Sequence, residues 1–393
     1  MIPKGVDKMK ANEQFHRDTW VDVNLDAIRH NIQQVSQLIG PEVAVMAVVK
    51  ANAYGHGYVQ VANTALSSGA THLAVAFIDE ALFLRKQGIL APVVVLGASR
   101  PADAELAAEH NIQLTIYSKE WVLEAKDYLT RGSNLRVHLK CDTGMGRLGI
   151  KTAQELKEIE RVIAGTAVIS IEGIYTHFAT ADELDKSYTD HQMETFSSLV
   201  AELNEKPPLV HASNSAASLQ RKDSLFTIIR FGISMYGLSP SDEIAHRLPV
   251  ELIPALSLHT TIVQIKKLQR GEKISYGATY EASGEEWIGT LPIGYADGWI
   301  RKMQGFEVLV DGLRVPIVGR ICMDQCMIKL PAAYPQGTKV TLIGRQGDSE
   351  IKIDEVAAYL DTIHYEVTCA ISARVPRVYW KDGRSISVLN TLI

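Results

Sequence analysis

The chain has 393 residues, 46% of them hydrophobic and 22% charged, which suits one or two soluble domains with a sizeable core. Its net charge of −5 excludes a basic footprint for nucleic acid or anionic membrane, and no apolar run approaches the roughly 20 residues of a membrane helix. Residues 1–14 read as a polar tail with no apolar signal core. Four cysteines (Cys141, Cys322, Cys326, Cys369), with neither disulfide density nor zinc-like paired spacing, lead us to expect a cytoplasmic protein without structural metal.

In chain order, Trp20-Val-Asp-Val alternates like a half-buried strand. Asp26 is expected to cap a helix whose apolar positions are Ile28, Ile32, Val35 and Ile39, ended by Gly40-Pro41. Short apolar runs then alternate with helical segments. Strands are expected at 43–49, 73–77, 93–96, 114–117, 135–139, 169–177, 209–211 and 227–229, each leading into a helical stretch. Eight such repeats predict a (β/α)8 TIM-type barrel over 15–250, with the strand near 20–23 belonging either to it or to the C-terminal domain. A doubly wound open sheet is the alternative, but its G-x-G-x-x-G turn is absent. From 251 to 393 the texture changes to a mostly β domain. Strands are expected at 255–265, 287–292, 307–310, 315–318, 327–330 and 339–343, with one helix at 353–363 capped by Asp354.

Active groups of such barrels gather at the C-terminal ends of the strands. Those ends carry, in order, Lys50 and Tyr54, then Asp79, Lys140 to Arg147, His177, Ser213 to Ser215, and Arg230. Lys50 closes an apolar strand ahead of the strand-breaking Gly55 and Gly57. Burial disfavours its ammonium, so it is paired, deprotonated or used covalently; a lysine with a lowered pKa there suits Schiff-base chemistry with an aldehyde. A side chain that merely reaches out to solvent is the alternative. After the eighth strand, Arg230-Phe-Gly-Ile-Ser enters a helical segment whose Gly232 and Ile233 amides favour an anion, with Ser215 and Tyr54 adding hydroxyls beside Asn214. An aldehyde-reactive lysine with a phosphate cradle points to pyridoxal 5'-phosphate.

The motifs Val-Val-Lys50-Ala-Asn-Ala-Tyr-Gly-His-Gly and Lys140-Cys-Asp-Thr-Gly-Met-Gly-Arg-Leu-Gly closely resemble the alanine racemase family. So do Tyr175-Thr-His-Phe-Ala, Ile229-Arg-Phe-Gly-Ile, Ile274-Ser-Tyr-Gly-Ala-Thr-Tyr, Ile293-Gly-Tyr-Ala-Asp-Gly and Arg320-Ile-Cys-Met-Asp-Gln, in order from about Arg17 to the C-terminus. The resemblance implies a pyridoxal-phosphate homodimer that interconverts L- and D-alanine for peptidoglycan, each site completed by the partner subunit. Lys50 would carry the cofactor and serve one face of the substrate, and Tyr276 of the partner subunit would serve the other. A planar carbanion needs a proton donor on each face to be inverted. A phenol titrates near 10, so Tyr276 needs cationic or hydrogen-bonding neighbours, for which Arg147 and His177 are the candidates.

The same resemblance places Arg147 and Met323 at the substrate carboxylate, Tyr295 and Tyr365 at a narrow entrance, and Tyr365 also at the phosphate. Asp182, Arg301, Arg320 and Ile363 match outer entrance positions. It sets Arg230 against the pyridine nitrogen, where a guanidinium cannot readily give up a proton. The ring then stays a poorer electron sink, and Arg230→Glu should raise side transamination; unchanged reaction specificity would refute this. Lys140, close in sequence to Arg147, is expected to be a carbamate. A non-catalytic barrel that only carries the cofactor, or a barrel amino-acid decarboxylase, are the alternatives.

Overall fold

The computed structural model describes residues 15–393; the expected tail at 1–14 lies outside the described residues. Backbone contacts divide the chain into two compact units. One comprises Ala27–Ala53 and Tyr58–Pro254; the other contains the segment ending at Asp26, Tyr54–Gly57 and Ala255–Ile393.

The first unit is a barrel of eight parallel strands: Ala44–Val48, His72–Val75, Val93–Val95, Ile112–Ile116, Leu135–Lys140, Ile169–Tyr175, Leu209–His211 and Ile228–Phe231. The first to the seventh pair successively along the chain, and the eighth pairs with the first through Ala44↔Ile228 to Ala47↔Phe231. Between the seventh and eighth, isolated bonds such as Thr227 N to Val210 O (3.2 Å) complete the ring. Strands buried on both faces read as unbroken apolar runs, which is why Val93-Val-Val was legible. The ring's polar residues Gln113, Thr115, His138, Lys140, His211 and Arg230 are all buried as well.

Ahead of the barrel, the helix Leu25–Ile39 buries Ile28, Ile32, Val35 and Ile39 as its spacing predicts. Its cap differs from expectation. Asn24 accepts the Asp26 amide at 2.9 Å, so Asn24 holds the capping position and Asp26 sits inside the first turn.

The second unit is a largely antiparallel sheet. Its order runs through Gln264–Leu268, Glu286–Leu291, Cys326–Leu330, Leu313–Val318, Glu307–Val310, Lys339–Gln346, Leu256–Thr261, Thr19–Asn24, Arg377–Lys381 and Arg384–Leu389. The strand containing Trp20 therefore lies here, antiparallel to Leu256–Thr261 and parallel to Arg377–Lys381. The expected strand 255–265 is two strands, because Ile262 and Val263 turn their amides to Thr338 O and Thr290 O on different neighbours. The helix expected at 353–363 stops at Leu360, where Asp361 adopts φ +57°, and a second helix spans His364–Ala370. Lys352 occupies its capping position, and Asp354 instead lies 3.1 Å from His364.

Candidate active site

The first barrel strand ends at Val48, and the half-buried Lys50 opens a turn of unusual hand. Ala51, Asn52, Ala53 and Tyr54 all have φ between +52° and +55°. In L-residues each such conformation costs about 1–2 kcal/mol, so four in a row persist only where surrounding contacts hold them. Asp79 at the second strand end is exposed; its neighbour Glu80 is the residue engaged with this turn.

Inside the barrel unit, cations crowd together. Arg230 is only 3% exposed, and no carboxylate bonds it among the described residues. Its Nη1 donates to His211 Nδ1 (2.7 Å) and His211 O (3.1 Å); its Nη2 donates to Thr176 O (2.8 Å), Ala212 O (2.7 Å) and His177 Nδ1 (3.3 Å). Its Nε has no partner among the described residues. A guanidinium only donates, so His211 must keep its proton on Nε2. That proton goes to His138 Nδ1 (3.0 Å), leaving His138 Nε2 to donate to Gln113 Oε1 (2.8 Å). Tyr175 stacks on His211 with ring centroids 4.7 Å apart, and both Lys140 Nζ and Arg230 lie over its ring at 5.0 and 5.3 Å.

This crowding sets the protonation states. Burial and the nearby Arg230 and Arg147 push the Lys140 amine down to about 7. Burial, then the charges of Arg230, Lys140, Arg147 and Lys50, drive His177 well below its usual range. The shift disfavours the imidazolium, so of the two roles expected for it, cationic or hydrogen-bonding neighbour, His177 suits the second. Arg147 is exposed on the loop 141–149, whose Asp142 Oδ1 accepts the Gly144 and Gly146 amides at 3.2 and 2.9 Å.

The expected anion cradle is built from two short helices of the same unit. The Asn214 side chain caps Ser215–Gln220 through the Ala217 amide (3.1 Å), so it shapes that helix start. Ser215 Oγ accepts the Gly232 amide (3.0 Å) and the Ser234 amide (3.4 Å). The Ser215 and Ile233 amides, at the first positions of their helices, have no intrahelical acceptor.

In the second unit, Tyr54 and Tyr365 meet, with ring centroids 6.2 Å apart; burial pushes the Tyr54 phenol up. Glycine is required beside them. A Cβ on Gly55 would lie 2.1 Å from Thr368 O, and one on Gly57 would lie 1.8 Å from the Tyr379 hydroxyl. Tyr276 is no packed strand aromatic: it is 71% exposed on the turn Tyr276–Ala278, between Ser275 at φ +69° and Gly277 at φ +74°. Tyr295 and Met323 are also exposed, and adjacent backbone bonds tie them: Tyr295 N to Cys322 O (3.1 Å) and Ala296 N to Met323 O (3.1 Å).

Sequence reasoning missed Glu80, His138 and His211. A clue to the histidines was present, since His138 and Lys140 stand two apart on one strand and so share a face. Among the described residues no helix is long and apolar enough to cross a membrane, no metal-binding cluster occurs, and no disulfide forms.

Residues 23–240 match the family described as "Alanine racemase, N-terminal domain", and residues 255–379 match "Alanine racemase, C-terminal domain". The chain is 57% identical over 378 residues to the alanine racemase of Geobacillus stearothermophilus, covering 96% of this chain and 97% of the relative. It is 49% identical over 383 residues to alanine racemase 1 of Bacillus subtilis strain 168, covering 98% of each. The crystal structure of alanine racemase from Bacillus anthracis with bound L-Ala-P superposes with a TM-score of 0.94 at 53% identity, over 96% of this chain and 99% of that one. The chain belongs to the alanine racemase family of isomerases.

Proposed function

We propose that this protein interconverts L- and D-alanine in the cytoplasm, supplying D-alanine for peptidoglycan, with pyridoxal 5'-phosphate as cofactor and a homodimer as the working unit. The residues fit that cofactor. Lys50 would hold its aldehyde carbon, and Arg230 Nε, without a partner among the described residues, suits an acceptor ring nitrogen. The Ser215 and Ile233 amides, Ser215 Oγ, and the Tyr54 and Tyr365 hydroxyls would take the phosphate. Bound there, the cofactor supplies the electron withdrawal that acidifies the substrate's α-hydrogen.

The chain's own residues divide the rest. The Lys50 amine moves the α-proton on one face, and the phenol of Tyr276 of the partner subunit moves it on the other. Arg147 orients the substrate carboxylate with Met323. Neutral His177 offers a hydrogen bond without adding charge. Tyr295 and Tyr365 narrow the entrance to a methyl-sized side chain, although one methylene discriminates by only about 1–3 kcal/mol. The exposed Tyr276, Tyr295, Met323 and Ile363 of the second unit support burial against a second copy.

The observation that carries the reading is the company Arg230 keeps. Carbonyls and histidines hold this buried cation where a decarboxylase of this fold would favour a carboxylate. Incubation with L-alanine should send optical rotation to zero. Release of carbon dioxide would mark a decarboxylase, and cofactor binding without either change would mark a carrier.

Lys140 is proposed to be a carbamate that braces Arg147. Carbamylation joins the neutral amine nitrogen to carbon dioxide and releases a proton, and an amine pushed down to about 7 is largely neutral just above neutrality. Burying a charged Lys140 costs stability in full below pH 7, and the cost fades as pH rises from there toward its ordinary 10.5. Carbamate occupancy should therefore rise with pH through neutrality, followed by ¹³C NMR with labelled bicarbonate. Electron density showing a bare amine with a halide beside it would refute the modification.

A further inference from the structure

The four left-handed residues after Lys50 need contacts that hold them, and one carboxylate from outside the turn bonds the first of them. Glu80 Oε1 accepts the Ala51 amide (2.7 Å) and the Tyr58 hydroxyl (2.8 Å), while its Oε2 accepts the Ala76 amide (2.6 Å) and the Phe77 amide (3.2 Å). Asn52 Oδ1, inside the turn, accepts the Tyr58 amide at 3.2 Å. Ala53 N also donates to Val49 O at 2.9 Å.

An ordinary role exists for part of this. Glu80 stands three residues beyond Phe77 at the start of the helix Ile78–Lys86, where a glutamate commonly returns to the capping residue's amide. That role uses Oε2 alone. The other oxygen reaches across to the residue directly after Lys50 and to Tyr58, which helix capping does not require. The carboxylate thus ties the end of the second barrel strand to the turn beyond the first. Of its four charge-assisted bonds, the one to the Ala51 amide lies on the left-handed turn itself and the one to Tyr58 just beyond it, while the two from Oε2 anchor the carboxylate at the helix start.

We propose that Glu80 is a positioning residue for Lys50: by holding Ala51 in the left-handed turn it fixes the direction from which the Lys50 amine reaches its proton. The proposal rests on the reading of Lys50 as one of the two proton-transfer groups. It concerns one face of the substrate only, and that makes it separable from a general loss of structure.

The test uses the cofactor-loaded enzyme and Glu80→Gln, which keeps size but turns an NH2 toward donors on one side. Thermal stability, alanine racemisation and primary isotope effects with α-deuterated L- and D-alanine are measured. Turnover should fall about 10- to 100-fold, the cost of a small misplacement of a reacting group. The isotope effect should rise for the enantiomer deprotonated by Lys50 and fall for the other, because only one transfer has slowed. The apo-protein should also develop the lysine-linked absorbance band more slowly when pyridoxal phosphate is added. Tyr58→Phe removes one donor while leaving the carboxylate, so it should show the same pattern in weaker form even if Glu80→Gln folds poorly. Isotope effects that move together for the two enantiomers, or wild-type turnover in a stable Glu80→Gln, would overturn the proposal. Failure of the underlying reading is seen separately, as a lysine-linked absorbance band that survives in Lys50→Ala.

Discussion

Tyr276→Phe should lower racemisation by roughly 10²–10⁴-fold, the usual contribution of a positioned acid–base group, while cofactor absorbance stays unchanged. The phenylalanine keeps the ring's shape and removes only the O–H. The turn that carries Tyr276 is well anchored, so structural loss should be small. Lys273–Ile274 pairs with Tyr280–Glu281, and the Tyr280 ring packs on Leu268, Ile274, Ala282, Ile288, Val318 and Met327. Beyond the ring, the Tyr280 hydroxyl donates to Glu286, which also takes Lys329 Nζ at 2.9 Å. These bonds, with Tyr280 first, hold the Glu286 carboxyl down at about 2, so the anchor remains charged through the working pH range. The two enantiomers are equal in energy in water, so kcat/KM must fall by the same factor in both directions. A loss of less than tenfold would remove Tyr276 from the role of second base.

Arg377→Met should lower the melting temperature by roughly 6–12 °C, the equivalent of about 3 kcal/mol in a unit of this size. Arg377 is a fully buried cation with four carbonyl partners. Its Nε donates to Gly55 O (3.0 Å), its Nη1 to Ser372 O (2.5 Å) and Val375 O (2.6 Å), and its Nη2 to Ile371 O (2.7 Å). Burial pushes its guanidinium down to about 10, so removing the charge relieves some desolvation. The orphaned carbonyls outweigh that relief, at about 1–3 kcal/mol for each one left dry. Arg377→Lys should be destabilised as well, since a compact ammonium cannot span the same four acceptors. Calorimetry on the three proteins checks this, and a methionine variant melting within a degree of wild type would contradict it.

Much of the barrel could be read locally because its strands are continuous apolar runs and its first helix shows a clean 3.6-residue stripe. Lys50, Arg147, His177 and Arg230 were singled out by asking what stands at strand ends, and the barrel sets the charges of Lys50, Arg147 and Arg230 close enough to act on His177. The features that escaped are set by distant partners. No local signal says that Trp20 pairs with His259, more than 200 residues away. The left-handed turn runs against every intrinsic preference of Ala51 and Ala53, and Glu80 reaches it from the start of the helix after the second barrel strand. His177 is driven well below its usual range by burial first and then by four converging cations, neither of which spacing reveals. One omission did have a local signal. Asp382-Gly383 joins Arg377–Lys381 to Arg384–Leu389, with φ of +50° and +72° and Lys381 opposite Arg384. An Asp-Gly pair between two strand-like runs marks that tight hairpin in sequence.

In the proposed dimer, each working site draws an amine from one protomer and a phenol from its twin. Lys50→Ala and Tyr276→Phe homodimers, each nearly inactive, should be unfolded together, refolded as an equal mixture with cofactor, and assayed with L-alanine. Half of the re-formed dimers would be mixed, and each of those would carry one intact site and one doubly altered one, so activity should return to about a quarter of wild type. A refolded mixture of normal dimer content that stays as inactive as its parents would contradict the account.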